Sequence, residues 1–202
     1  MDEDENIRLV RSGYDKIASR YHAERVAFDI SVILQSFIET VRPGGHVLDA
    51  GCGAGVPVAR TLVDSGFQVT GIDISESMLK LARSHVPEAV FVLQDMTKLS
   101  FDEGEFDGAI SAFALIHVPR TLHSEVLRHF FRVLRSGGVL LVSLGLDEWE
   151  DVDGYFGHPM YWSHHDKETS HGLVTEAGFR IVWDRVVETR GEKHYWILAM
   201  KD

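Results

Sequence analysis

The chain has 202 residues, enough for one domain with a substantial core, and a composition of 45% hydrophobic and 25% charged residues excludes disorder and collagen-like repeats. A net charge of -11 with no basic run argues against a nucleic-acid partner, because phosphate backbones are met by clustered Lys and Arg. A single cysteine excludes an internal disulfide, and an acidic start, MDEDEN, with no apolar run near the ~18 residues of a membrane span points to a cytoplasmic protein without a membrane partner.

Residues 6–21 place Val10, Tyr14, Ile17, Ala18 and Tyr21 at helical spacing, and a second helical pattern over about 26–41 stops at Pro43-Gly44-Gly45. Short apolar runs then alternate with amphipathic segments. HVLDA, FQVTGID, AVFVLQD, FDGAISAF and GGVLLVSL read as strands. Between them, helices are predicted from Pro57 to Ser65, over 76–85, and near 120–135, the last with Leu122, Val126, Phe130 and Val133 on one face. Continuous apolar strands alternating with helices indicate an α/β, doubly wound fold around a mostly parallel sheet. After Leu146 comes an aromatic and histidine-rich segment, DEWEDVDGYFGHPMYWSHHD, and then a helix near 167–177 closed by Gly178. The closing runs FRIVWDRVVE and HYWILAMK are separated by only TRGEK, too short to cross back over a sheet, so this last pair is antiparallel. No repeat or linker divides the chain.

VLDAGCGAG, residues 47–55, sits after a buried strand and before a helix, where glycines let backbone N–H groups approach a nucleoside or dinucleotide. Pro57 suits the first helical turn. A dinucleotide fingerprint aligned on Gly51 and Gly53 requires a small residue at position 56, and the chain has Val56. Asp49 is awkward beside a pyrophosphate but suits a cationic ligand or the orientation of the loop. Cys52, within the glycine run, satisfies a need for a small side chain.

The loop, with one acid ending VTGIDIS and another in VLQDM, resembles the class I S-adenosylmethionine-dependent methyltransferases. The resemblance covers about 46–201 and implies a Rossmann-like, seven-stranded sheet whose last strand is antiparallel. It implies one domain, with an N-terminal helical cover (1–42), a cofactor-binding core (43–146) and a substrate-cover segment with the C-terminal strands (147–202). By the resemblance, Asp49, Gly51, Cys52 and Gly53 shape the pocket for the methionine part of S-adenosylmethionine, and Asp73 accepts from both ribose hydroxyls. Ile74 packs on the adenine, Asp95 accepts from its amino group beside Met96, and Ala112 and Phe113 flank the methionine end. An aspartate at a strand end also serves simply as a cap.

The helix YDKIASRY is similar to the segment before the core in ubiquinone-biosynthesis-like small-molecule methyltransferases, where Tyr14 and Tyr21 would close over the cofactor. His117, just past the fourth strand, is the candidate base, with a core histidine as the alternative. Trp162, His164 and His165 fall where the family carries its substrate cover. No metal is expected, since His164, Asp166 and His171 match no zinc signature and SAFALIH lacks the acid of the metal-dependent catechol-type enzymes. The absence of an N-P-P-Y-like tetrapeptide favours a small-molecule acceptor over DNA or protein, handled by a monomer or homodimer. The rivals are an NAD-dependent oxidoreductase and a noncatalytic protein that binds S-adenosylmethionine or S-adenosylhomocysteine.

Overall fold

The computed structural model describes residues 2–25 and 28–202. Among the described residues, strands and helices follow the predicted alternation through the core: β1 (His46–Ala50), α3 (Val58–Asp64), β2 (Gln68–Asp73), α4 (Glu76–His85), β3 (Val90–Leu93), β4 (Phe106–Ser111), α5 (His123–Val133) and β5 (Leu134–Leu144). Two helices, α1 (Glu3–Arg25) and α2 (Ser31–Thr40), precede the core. It is followed by β6 (Trp149–Tyr155), β7 (His158–His164), α6 (Lys167–Glu176), β8 (Arg180–Thr189) and β9 (Glu192–Met200). The second helix begins at Ser31, and residues 26 and 27 of the predicted span lie outside the described residues.

Seven strands form one sheet in the order β3-β2-β1-β4-β5-β9-β8, with β9 antiparallel to both neighbours and the other pairings parallel. Strand alternation sends Leu48 and Ala50 into one core, where Val126, Leu127, Phe130 and Val133 of α5 and Val174 of α6 cover them. Val47 and Val69 point into the other core, against Ile33, Leu34 and Phe37 of α2, Leu62 of α3 and Leu79 of α4. Phe37 lies so close to the sheet that a Cβ on Gly108 would fall 2.7 Å from its Cζ.

Two features depart from the sequence reading. Pro57 occupies the N-cap of α3 and the helix starts at Val58, so the proline precedes the first turn. The aromatic segment after Leu146 is a β-hairpin, β6 paired with β7 from Trp149↔His164 to Tyr155↔His158, forming its own two-stranded sheet. Its turn is Phe156-Gly157, where the sequence lacks the Asn-Gly or Asp-Gly signal of a two-residue hairpin.

The helix α1 belongs to neither main core. Val10 and Ile17 pack on Met160 and Tyr161 of β7, while Ala18 packs on Ala54 of the glycine loop and Met78 of α4. It therefore bridges the hairpin and the loop across the C-terminal ends of the parallel strands. None of the helices among the described residues is long and apolar enough to cross a membrane. Phe37 is fully buried, so Phe37→Ala should cost about 3–5 kcal/mol, read as a lower urea midpoint at unchanged slope.

Candidate functional site

The glycine loop folds back on β2: the Gly51 and Cys52 N–H groups both donate to the Ile72 carbonyl, at 2.8 and 2.9 Å. Gly51 (φ +78°) is required by contact as well as by conformation, because a Cβ there would lie 2.2 Å from the Ala114 Cβ. Gly53 (φ +53°) has no neighbour within 4 Å of where its Cβ would stand. The loop thus closes against β4 on one side and leaves open space on the other.

That open space is a cavity over the strand ends. Gly51, Gly53, Asp73 and Ile74 line it from β1 and β2, Asp95 and Met96 from beyond β3, and Ala112, Phe113 and His117 from beyond β4. Tyr14 and Tyr21 of α1 cover it. An adjoining chamber shares Tyr21, Gly51, Gly53, Ala112 and Phe113 and adds Asp49, Cys52 and Phe28. The structure also brings in Gln94, Met78, Ala114, Val118 and Ile7, whose apolar or neutral side chains carry no sequence signal for a site.

The three acids are held differently. Asp73 accepts from Gly53 N through Oδ2 and from Ser75 N through Oδ1, both at 2.9 Å. A carboxylate has about four acceptor positions, so two remain for a ligand. Burial pushes its carboxyl up to about 6 against the pull of those backbone donors, and Asp15 adds to the rise. Asp95 accepts from Thr97 N at 2.8 Å and caps the short 3-10 turn Met96–Lys98, while still lining the cavity.

Asp49 is 1% exposed, and its Oδ2 has no hydrogen-bond partner. Burial first, and the charge of Asp73 second, push its carboxyl up to about 8. Asp107, equally buried at the far end of the sheet, accepts from His46 N and from Arg135, each at 2.8 Å. An orphaned buried acid beside a cavity calls for a cationic or donating ligand. Cys52 turns inward, where burial raises its thiol and leaves it unreactive at neutral pH.

His117 is buried, with Nδ1 2.9 Å from the Tyr161 carbonyl and Nε2 2.8 Å from the Tyr14 hydroxyl. A carbonyl only accepts, so Nδ1 carries the proton and Nε2 accepts from Tyr14. The ring therefore meets the cavity behind a tyrosine, a geometry the sequence could not supply. The hydroxyl of Ser75 donates to Asp15 at 2.7 Å, tying α1 to the start of α4 beside Asp73. Neither partner stands out in sequence, since Asp15 is one acid on an acidic helix.

Of the proposed cover residues, Trp162 packs on the His117 ring at 4.4 Å between centroids. His164 and His165 are set apart from the cavity: His164 Nδ1 meets the Asp147 carbonyl at 2.5 Å and His165 Nε2 the Arg120 carbonyl at 3.1 Å. They brace the hairpin against its flanking segments. Asp166 caps α6 and His171 faces Asp184 of β8, and no group of three metal-ligating side chains converges among the described residues.

The Asp49 shift has a signed consequence for stability. Between the unfolded aspartate value near 3.9 and about 8, the native chain keeps a proton that the unfolded chain has released, so stability falls as pH rises through that window. Asp49→Asn removes this loss, and its melting temperature relative to the unmutated chain should rise more at pH 8.5 than at pH 4.

Comparison with known proteins agrees with this geometry. The family model for the methyltransferase domain matches residues 47–138. The chain is 37% identical over 147 residues to 24-methylenesterol C-methyltransferase 3 of Arabidopsis thaliana, covering 70% of this chain and 37% of that one. It is 32% identical over 152 residues to 2-methyl-6-phytyl-1,4-hydroquinone methyltransferase of Synechocystis, covering 74% and 46%. The chain thus spans less than half the length of these two curated relatives. A crystal structure of a SAM-dependent methyltransferase from Methanosarcina mazei superposes with a TM-score of 0.74 at 26% identity, over 86% of this chain and 98% of that one. With its glycine loop, strand-end acids and reversed β9, the chain belongs to the class I S-adenosylmethionine-dependent methyltransferases.

Proposed function

We propose that this protein transfers a methyl group from S-adenosylmethionine to a small-molecule acceptor. The observation that carries this reading is the orphaned Asp49 oxygen beside an open glycine loop, with Asp73 and Asp95 at the next two strand ends. These residues fit the cofactor: Asp49 offers a carboxyl that the cationic amino acid end would draw into its ionised form, Asp73 its spare lone pairs to two ribose hydroxyls, and Asp95 an acceptor to the adenine amino group. Ile74 and Met96 supply apolar surface for the base, and Ala112 and Phe113 flank the middle of the cavity. A pyrophosphate would instead be pressed toward Asp49, which disfavours a dinucleotide.

The bound cofactor supplies an electrophilic methyl, and the residues of the chain orient the acceptor, exclude water and take up any proton it releases. Tyr14 and Tyr21 cover the cavity from α1. An acceptor proton passes to the Tyr14 oxygen as the Tyr14 proton moves to His117 Nε2, leaving a charge that Nδ1 shares with the Tyr161 carbonyl. His117 in this reading acts through Tyr14.

The two curated relatives are named for a sterol and a hydroquinone, which supports a small-molecule acceptor. A net charge of -11 disfavours a polyanion, and the proposal includes a cytoplasmic reaction with the chain acting as a monomer or homodimer. Calorimetric titration with S-adenosylhomocysteine, S-adenosylmethionine and NAD tests the reading. Binding of the first two without NAD is expected, and NAD binding alone would overturn it. Asp73→Ala should weaken S-adenosylhomocysteine by about 1–3 kcal/mol, and unchanged affinity would remove Asp73 from the ribose role.

A further inference from the structure

Phe28 is a wall of the inner chamber and also lines a wider cavity of about 660 Å³ at the protein surface. Tyr155 and Phe156 of the β6–β7 turn, Arg190 and Glu192 of the β8–β9 turn, and Glu24 of α1 form its other walls. Both turns are two-residue connections between antiparallel strands, closing the pairs Tyr155↔His158 and Thr189↔Glu192. Both run through positive φ at each position, 51° and 82° at Phe156-Gly157 and 52° and 84° at Arg190-Gly191. This is the type I′ geometry, whose first position favours Asn, Asp or Gly.

A phenylalanine and an arginine hold those first positions, and both residues line the same mouth, the Phe156 ring also carrying the Arg20 guanidinium over one face at 5.0 Å. The remaining non-glycine residue with positive φ among the described residues is Phe113, in the chamber behind it. All three unfavourable backbone positions therefore line two neighbouring spaces that share Phe28, one at the surface and one at the glycine loop. Residues held at such positions cluster at ligand clamps and active sites. Both spaces are walled by rings. Phe156 stands edge-on to Tyr155 at 4.6 Å and Tyr21 at 6.3 Å, and Phe113 stands edge-on to His194 at 4.8 Å, Trp196 at 5.4 Å and Phe28 at 6.2 Å.

We propose that the acceptor is a planar ring compound that enters between the two hairpin tips, and that Phe156 and Arg190 select it by stacking on its faces at the mouth. The proposal rests on the reading of the inner chamber as the methyl-transfer site. Aromatic walls and a guanidinium plane favour a flat, polarisable body over a flexible chain of equal carbon number.

The test compares 2-naphthol with 1-decanol, which have the same number of carbons and one hydroxyl each, titrated into the protein with and without saturating S-adenosylhomocysteine. Naphthol should bind at least about tenfold more tightly, the scale of a few aromatic contacts. Phe156→Asn and Arg190→Asn place a residue at ease in the left-handed region, so each should weaken naphthol several-fold while the melting temperature holds or rises. Equal affinity for the two alcohols, or a Phe156→Asn variant that keeps naphthol affinity, overturns the proposal. A variant that loses naphthol and several degrees of melting temperature together makes Phe156 a folding contact and also overturns it. Failure of S-adenosylhomocysteine to bind strikes the cofactor reading instead, and the titrations without it still decide the channel.

Discussion

The architecture of the site depends on one close approach, that of Gly51 to Ala114, where no side chain beyond hydrogen can stand. Because the loop can press against the segment after β4, the Gly51 and Cys52 N–H groups reach the Ile72 carbonyl and Gly53 N reaches Asp73. The loop, β2 and β4 are thereby locked into one rim. Its outward face at Gly53 stays open, and the three acids are spread along the strand ends around it. An added methyl at residue 51 would push the loop from β4 and dissolve every one of these relations at once.

The cover is built with the same economy. Val10 and Ile17 hold α1 to β7, Ala18 holds it to the glycine loop, and Asp15 fastens it to Ser75 and the Ser77 N–H at the head of α4. The cover is thus joined to the element that carries Asp73. A further attachment is the Tyr14 contact to His117, so the ring that would take a proton is seated by the helix that encloses the cavity and by the hairpin carbonyl behind it. The helix that covers the cavity therefore also positions the His117 ring.

Two buried aspartates show how function is separated from scaffold. Asp107 has its oxygens matched by Arg135 and the His46 N–H, so its charge is neutralised within the protein. Asp49 is left with an unmatched oxygen and a raised carboxyl, a cost that a ligand of complementary charge would offset. The same logic applies to Phe156 and Arg190, where the local backbone would be better served by asparagine.

The sequence by itself determined the alternation of strands and helices, the antiparallel ending and the placement of Gly51, Gly53, Asp73 and Asp95 at strand termini, because periodicity and glycine spacing are local signals. It did not disclose the β6–β7 hairpin, whose turn begins with phenylalanine in place of the usual Asn or Asp. Nor could it assign partners to His117, His164 and His165, since a histidine's role is set by what reaches its two nitrogens across the fold. Tertiary structure alone decided that Tyr14 stands before His117, that His164 and His165 brace backbone carbonyls, and that Asp49 keeps an unpaired oxygen. The physical reason is distance in sequence: Tyr14 and His117 lie 103 residues apart, and only the packing of α1 across the strand ends brings them to 2.8 Å.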